Sequence, residues 1–305
     1  MGKASGFSGV IDLIGLKAYA YDGSGKPIPQ DIPAELKDAA EEARYRLVEN
    51  AAEGDDALLE KYLETESLTD EEILQGLSAG TSSGKLVPVY AASAVTGVGV
   101  DRVLQAVTTL LPDFETRRAA RAGQETPVPG YVPDALDNSD FAALVFATRI
   151  DHYAGKLSIV KVLSGSLQGA MELHNVVTDH AERPAHLFKL MGKDQLEVRQ
   201  LSAGEVGALP KLVNTHTGDT LCSTKNKVQF APLDLPQPVL TYALELSTKG
   251  EEEKLSAALH RMMEEDTTLS FHHNAETRDF LVSGLGHMHL GLVLERLKRE
   301  YHIEA

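Results

Sequence analysis

Residues 155–169 read GKLSIVKVLSGSLQG, and this stretch decides the fold of the middle of the chain. Leu157, Ile159 and Lys161 alternate with their neighbours at the two-residue period of a β-strand. Turns follow at Gly165 and Gly169, and similar glycine turns recur as far as about residue 230. Short strands at this spacing predict a closed all-β unit, most simply a barrel.

The last part of the chain begins after Pro236-Gln237-Pro238 and has a different pattern. Strand-like and helix-like segments follow one another in the order strand, helix, strand, strand, helix, strand, with the last strand predicted at 301–305. This βαββαβ order predicts a ferredoxin-like unit.

The first part of the chain is mixed. Residues 8–22 are strand-like and run into an Asp-Gly-Ser-Gly turn, and a helical block follows from Pro33. Leu86–Tyr90 predicts a short apolar strand, and a helix is expected from Val100 to Leu111, where Pro112 stops it. Residues 114–138 contain three prolines and no periodicity, which indicates a linker.

Composition sets the broad class of the protein. The chain has 305 residues, 43% of them hydrophobic, a net charge of −16 and one cysteine, Cys222. A single cysteine excludes an intramolecular disulfide, and a buried inert thiol is expected. There is no run of ~20 apolar residues and no signal peptide, so we expect a cytoplasmic protein that neither enters a membrane nor binds DNA.

The negative charge is concentrated in the helical block. Residues 35–72 hold 14 acidic and four basic side chains, whereas residues 140–227 hold nine acidic and ten basic ones. One interpretation is a solvated helix surface, and the other is a docking face for a basic protein. The near-neutral middle of the chain remains compatible with RNA.

No stretch forms a self-contained catalytic or metal site. Gly84-Lys85 and Gly155-Lys156 lack the residues that complete a phosphate-binding P-loop. Ser283-Gly284-Leu285-Gly286 opens like a dinucleotide fingerprint, but His289 stands where the third glycine belongs. His287 and His289 are spaced badly for a shared metal, as are His272 and His273 on a strand.

Several short motifs, in order, resemble elongation factor G, the translocation GTPase of bacterial ribosomes. They are Phe7–Leu13, Ile32–Ala34 with Ala52–Asp56 and Leu59–Glu64, Val87–Ala94, Gly155–Gly169, Ala203–Val206 with Thr217–Leu221, Glu264–Asp266, and Ser283–Gly286 with His289-Leu290. The resemblance runs over nearly the whole chain.

The resemblance implies a multidomain α+β fold. Residues 1–113 would be the C-terminal part of a GTPase α/β domain with its helical insertion, and 114–138 a linker. Residues 139–235 would be the translation-factor β-barrel, and 236–305 the ferredoxin-like third domain. The family's P-loop, switch regions and N-K-x-D motif have no counterpart here, so an internal fragment is expected.

The resemblance also implies a set of functional residues. Ser93 and Ala94 correspond to the backbone contact with guanine in the intact factor, which binds GTP and magnesium; we expect no useful GTP affinity, no hydrolysis, and no catalytic or metal residue in this chain. The barrel would meet the small subunit's ribosomal RNA. Five acidic residues would face the basic ribosomal stalk protein: Glu41, Glu42, Glu49, Asp55 and Asp56.

This sequence departs from the family pattern at His287, Met288 and Gly291, which points to a paralogue. Two alternatives stay open. The chain could derive from a ribosome-protection or release-factor GTPase, or it could be a stand-alone, nucleotide-free module that binds the ribosome.

Overall fold

The computed structural model describes residues 1–2, 4–121, 140–151, 155–225, 227–247, 250–274, 276–277 and 279–305. These residues form two compact units, Met1–Arg117 and Arg118–Ala305. Within the described ranges, every helix is too short or too polar to span a lipid bilayer.

The first unit opens with a small antiparallel sheet. Its strands, in spatial order, are β1 (Gly9–Asp12), β2 (Lys17–Tyr21) and β3 (Pro27–Gln30). The strand-like stretch 8–22 is thus a hairpin. The turn after β2 is held by the Asp22 carboxylate, which accepts hydrogen bonds from the amides of Ser24 and Lys26, both at 2.9 Å. Sequence reasoning missed β3, since prolines usually argue against a strand; β3 is an edge strand, where they are tolerated.

A three-helix cluster follows the sheet: α1 (Ala34–Ala52), α2 (Asp56–Thr65) and α3 (Asp70–Ser82). Ile73 is fully buried against Ala51 and Leu58. A Cβ atom added to Gly76 would lie 2.1 Å from the carbonyl oxygen of Ala51, so α1 and α3 approach each other at a contact that only glycine allows. Helix α3 begins with a capping box, with Thr69 at the N-cap.

The predicted strand Leu86–Tyr90 is wrong, because these residues have no strand partner among the described residues. The amide of Leu86 donates to Gly80, and the next main-chain bond along the chain starts at Ser93. Val87 and Val89 are 82% and 89% exposed. An apolar run becomes a strand only when a neighbouring strand takes up its hydrogen bonds, and no described segment does so here.

Two further helices complete this part of the chain: α4 (Val100–Thr109) and α5 (Phe114–Arg121). The first confirms the predicted helix, which ends two residues earlier than expected. The second occupies the first part of the predicted linker, 114–138; residues 122–138 of that linker lie outside the described residues.

The second unit begins with an all-β domain. An eight-stranded antiparallel sheet runs in the order β10-β9-β12-β5-β4-β13-β7-β8, and β6 pairs with β11. The strands are β4 (Ala142–Asp151), β5 (Gly155–Ser164), β6 (Ser166–Gln168), β7 (Leu173–Asn175), β8 (His180–Glu182), β9 (Leu187–Met191), β10 (Asp194–Val198), β11 (Gln200–Ser202), β12 (Val206–Pro210) and β13 (Thr220–Ser223).

Nine of these ten strands, all but β8, contribute to one hydrophobic interior, which is why the domain is a barrel. Val145 and Val160 contribute from the central pair of strands, and Leu167, Leu201 and Leu221 contribute from the small ribbon and the far side. All five are fully buried. The predicted barrel is therefore confirmed, and the alternation read in residues 155–169 corresponds to β5.

The C-terminal domain places two helices against a three-stranded sheet of order β14-β16-β15. Leu255 and Leu259 from one helix and Leu290 and Leu297 from the other are fully buried at its centre. Its elements are β14 (Leu240–Leu244), α6 (Glu252–Glu265), β15 (Ser270–His273), β16 (Phe280–Gly284) and α7 (His287–Tyr301).

The predicted final strand 301–305 is wrong as a strand. Helix α7 continues through Tyr301, and His302 then turns the chain with a φ of 55°. Ile303 is buried in the core, and the Ser247 amide donates to the carbonyl oxygen of Glu304 at 3.0 Å. Residues 303–304 thus lie next to the segment that follows β14, close to where a ferredoxin-like fold has its fourth strand, but residues 302–305 are not assigned as a strand.

Candidate functional site

The predicted guanine-side residues, Ser93 and Ala94, lie together in a tight loop. The Ser93 amide donates to the Val98 carbonyl oxygen, and the Gly97 amide donates back to the Ser93 carbonyl oxygen, both at 2.8 Å. The Ser93 hydroxyl accepts a further bond from the Thr96 amide at 3.3 Å. Ser93 is half-buried and holds the loop together, while Ala94 is exposed.

Two glycines make this loop possible. Gly97 and Gly99 both have φ values of 75°, which other residues adopt at a cost. A Cβ atom on Gly99 would also lie 2.4 Å from the carbonyl oxygen of Ala91. The loop from Ala91 to Gly99 contains no charged side chain, so it offers backbone and small side chains to a flat ligand but no cation for a phosphate.

A groove of about 540 Å³ lies next to the segment that precedes the loop. It is bounded by β1, by the facing sides of α1, α3 and α4, and by residues 86–91. Its walls are mainly apolar, with Val10, Leu77 and Ala106 among them, and Asp12 and Arg102 provide charge. A lining of this kind suits an apolar surface better than it suits a nucleoside triphosphate.

Arg102 is fixed at one side of this groove. Its guanidinium stacks 3.9 Å from the centre of the Tyr19 ring, and its Nε atom donates to Asp101 at 3.0 Å. Tyr21 donates its hydroxyl proton to the same carboxylate at 2.5 Å. Burial and the negative charge of Asp101 raise the pKa of Tyr21, so this hydroxyl stays protonated as a donor.

The five predicted docking acids lie on α1 and at the start of α2. Glu41, Glu42 and Asp56 are exposed, whereas Glu49 and Asp55 are half-buried. Asp55 is the N-cap of α2, and its carboxylate accepts the amide protons of Ala57 and Leu58. Glu42 forms an ion pair with Arg46. Glu41 and Asp56 thus form no ion pair with any described residue, whereas Asp55 stabilises the start of α2 as its N-cap.

Glu49 also has a partner on the helix surface. Hydrogen bonds with Tyr62 and Glu49 raise the pKa of Tyr45 to about 12. Tyr45 is therefore neutral at physiological pH and joins α1 to α2.

The three departures from the family pattern lie at the start of α7. His287 contacts the hydroxyl of Tyr242 through its Nδ1 atom. Met288 is 81% exposed, and a Cβ placed on Gly291 would meet no atom within 4 Å beyond its chain neighbours and the nearby backbone of its own helix. Among these three, only His287 makes a polar contact that depends on the identity of its side chain.

Sequence reasoning missed two contacts in the second unit. His289 binds Asp266, and Glu265 reaches from α6 to the barrel, where it accepts the amide proton of Ile150. The motif Glu264–Asp266 drew attention to the right segment. Neither partner is close in sequence, however, so no local pattern shows the pairing.

The remaining side chains that could bind a metal do not cluster among the described residues. No group of three or more His, Cys, Asp or Glu side chains could share a metal within the part of the chain that the structure describes. Cys222 is fully buried in β13, as expected, and burial raises the pKa of its thiol.

Comparison with known proteins identifies both domains of the second unit. Residues 140–224 match the family model "Elongation factor G domain 2", and residues 235–305 match "Elongation Factor G, domain III". A crystal structure of a protein from Thermus thermophilus superimposes with a TM-score of 0.81 at 30% sequence identity. The match covers 100% of this chain and 43% of that one, so the chain spans less than half the length of the solved structure.

Proposed function

Because this chain belongs to the elongation factor G family, we propose that it provides ribosome-docking surfaces of a translational GTPase that promotes tRNA and mRNA movement. The proposal rests on the order of the two domains in the second unit. A domain-2 barrel is followed by a third domain, and both match the family over their length. A fold alone does not establish a function, so the proposal has to be tested by changing exposed residues of these domains.

The barrel is the proposed contact with ribosomal RNA. Phosphate contacts need exposed cations that are not neutralised by a neighbouring acid. Six exposed basic side chains of the barrel form no ion pair with a described residue: Arg149, Arg183, Lys193, Arg199, Lys211 and Lys225.

Small-subunit binding tests this role. We expect Lys193→Ala/Arg199→Ala or Lys211→Ala/Lys225→Ala to weaken sedimentation with 30S subunits. The slope of log affinity against log salt should become shallower by about one for each phosphate that the variant no longer neutralises. The matched control removes two exposed lysines of the first unit, Lys37→Ala/Lys85→Ala; if it weakens binding equally, the barrel is not the RNA contact.

The acidic face of α1 and α2 is the proposed contact with the basic stalk protein. Exposed like charges accelerate encounter with a partner of opposite sign, and salt screens the effect. Glu41→Gln/Glu42→Gln/Asp56→Asn removes three exposed charges and leaves the cap residue Asp55 in place. We expect slower association with purified stalk protein at low salt.

The control for that experiment removes three exposed acids of the third domain by Glu252→Gln/Glu253→Gln/Asp279→Asn. These changes alter the net charge equally. Equal slowing by both sets would show that net charge, and not the helical face, steers the stalk protein.

The Ser93–Ala94 loop is proposed as the guanine-side part of a nucleotide site whose phosphate and magnesium groups lie elsewhere in the factor. Bound GTP would supply the hydrolysable phosphate. This chain's contribution would be the main chain at Ala94, which the bonds of Ser93 hold in place. A titration with fluorescent GTP is expected to show no binding at micromolar concentrations by this chain, and micromolar affinity would contradict that expectation.

A further inference from the structure

The imidazole of His289, at the start of α7, lies between two partners with opposite requirements. Its Nδ1 atom accepts the amide proton of Leu285 at 3.0 Å, and its Nε2 atom lies 2.9 Å from Oδ2 of Asp266. An imidazole nitrogen accepts a hydrogen bond only while it carries no proton, so the bond from Leu285 requires a neutral ring. The carboxylate of Asp266 favours a protonated ring. A proton on Nδ1 therefore removes the first contact and strengthens the second.

The bond from Leu285 takes the place of a side-chain cap on α7. Gly286 is the N-cap of this helix and has no side chain that could accept an amide proton of the first turn. His289 is the third residue of the helix, the position from which Glu or Gln reaches back to the main chain in a capping box. Here the imidazole reaches the Leu285 amide, one residue before the N-cap. Protonation of the ring would take away the partner of this amide.

The main chain of β16 keeps the ring in place. A Cβ atom on Gly284 would lie 2.9 Å from Nδ1 of His289, so the ring packs directly against the backbone at this glycine. The His289 side chain is only 19% exposed. A protonated ring and the Leu285 amide would therefore face each other as two donors, and the turn between β16 and α7 has to move to separate them.

Asp266 is the one charged side chain that contacts the ring among the described residues. Its other oxygen, Oδ1, accepts from the amide and the hydroxyl of Thr268 at 2.9 and 2.6 Å. Burial opposes its charge, but the bonds from Thr268 and His289 lower the pKa of Asp266, so the carboxylate stays ionised above pH 5. The other imidazole of this turn, His287, contacts the hydroxyl of Tyr242 in β14 instead.

Two influences on the ring are thus opposed. The carboxylate of Asp266 favours a positive charge on His289, whereas the amide of Leu285 and the positive end of the α7 dipole oppose it. Histidine is the side chain whose charge ordinarily changes within the physiological pH range. A small change in pH can therefore shift the balance between the two arrangements.

We propose that His289 is a pH-sensitive switch of the turn that joins β16 to α7. The neutral ring holds the turn closed through the Leu285 amide. The protonated ring keeps Asp266 and releases the amide, and the turn then changes conformation. Leu285 and Met288 are 40% and 81% exposed, so the switch alters an exposed apolar surface of the third domain.

NMR of the full chain between pH 8 and pH 5 tests the switch. The ¹⁵N shifts of the His289 ring report protonation of Nδ1. Exchange of the Leu285 amide, divided by its intrinsic rate at the same pH, reports the hydrogen bond. We expect the protection of this amide to fall about 3- to 10-fold as the ring becomes protonated, which is the loss of one hydrogen bond. The Leu255 amide in α6 should keep its protection.

Two variants separate the switch from a general effect of acid. His289→Gln does not titrate, and its side-chain amide has both an acceptor for Leu285 and a donor for Asp266, so the protection of Leu285 should not change with pH. The matched control His287→Gln removes the neighbouring imidazole and should keep the full pH response.

Three results would overturn the proposal. They are a Leu285 protection that stays constant while the His289 ring is protonated, a ring that remains neutral down to pH 5, and an unaltered pH response in folded His289→Gln. If His289→Gln does not fold by circular dichroism, the ring and amide measurements on the parent protein decide alone.

Discussion

Nε2 of His289 lies 2.9 Å from Oδ2 of Asp266, and this pair ties the start of α7 to the end of α6. The Leu285 amide donates to Nδ1 of the same ring at 3.0 Å. Because Nδ1 accepts a hydrogen bond from the backbone, the hydrogen-bond network places the ring proton on Nε2, which donates to Asp266. The ring thus orients the glycine-containing loop between β16 and α7.

Replacing Asp266 should destabilise the third domain in a pH-dependent way. Burial alone would raise the pKa of Asp266, but bonds from Thr268 and His289 outweigh it and lower the pKa. A lowered pKa gives stability that is present above the unfolded value of about 3.9 and lost as pH falls through the folded value. We expect Asp266→Asn to cost about 1 kcal/mol at pH 7, since the side chain is 41% exposed and solvent weakens its bonds.

Hydrogen exchange of the α7 amides at increasing urea concentration reports the stability of this domain. The loss of stability caused by Asp266→Asn should be smaller when the measurement is repeated near pH 3. Asp279→Asn, an exposed change in the same domain, should have little effect at either pH. A deficit that is the same at both pH values would contradict the assigned role of the carboxylate.

Two glycine-to-alanine substitutions in helices should have effects of opposite sign. Gly76→Ala forces a Cβ atom to within 2.1 Å of the Ala51 carbonyl oxygen, which cannot yield without moving α1. We expect a loss of about 1–3 kcal/mol in the free energy of unfolding. Gly291→Ala meets open space in α7 and should gain about 0.5–1 kcal/mol. Thermal unfolding measures both, and the same sign in both variants would refute the packing described here.

The thiol of Cys222 should be unreactive in the folded protein. The residue is 0% exposed, and burial raises the pKa of its thiol. Since the thiolate is the nucleophile, we expect disulfide reagents to modify Cys222 only as fast as the barrel opens, and completely in urea. Lys193→Cys provides an exposed thiol for comparison. Rapid stoichiometric modification of native Cys222 would show that β13 is not where the structure has it.

Polar replacement of the apolar segment 86–90 should be tolerated. Val87 and Val89 are 82% and 89% exposed, so Val87→Thr/Val89→Thr should change the free energy of unfolding by less than about 0.5 kcal/mol. Val160→Thr, which places a hydroxyl in the barrel core, should cost about 1–3 kcal/mol. Chemical denaturation measures these differences. A large loss in the double variant would mean that the segment is a buried strand after all.

Local patterns account for what the sequence could predict. The alternation in β5, the helical block after Pro33 and the helix expected at Val100–Leu111 depend on neighbours within a few residues, and the structure contains all three. The strand prediction for Leu86–Tyr90 was wrong because strand formation depends on a distant partner. The strand prediction for residues 301–305 was wrong for a similar reason. Helix α7 extends to Tyr301, and one hydrogen bond from Ser247 is not enough to form a strand.

The candidate site shows the same division. Ser93 and Ala94 could be singled out because they belong to a local motif, Val87–Ala94, that resembles the family. The bridge from Glu265 to Ile150 joins residues 115 positions apart, and His289 and Asp266 are 23 apart. Contacts of this kind arise from the packing of whole elements, so no single-sequence pattern could reveal them.

Competition for the ribosome tests the central claim most directly. Labelled chain is bound to 70S ribosomes at low salt, and unlabelled full-length elongation factor G is titrated in. We expect saturable binding that the full-length factor displaces completely and that Lys37→Ala/Lys85→Ala leaves unchanged. Binding that the full-length factor does not displace, or no binding at micromolar ribosome concentration, would contradict the assignment of these domains as ribosome-docking surfaces.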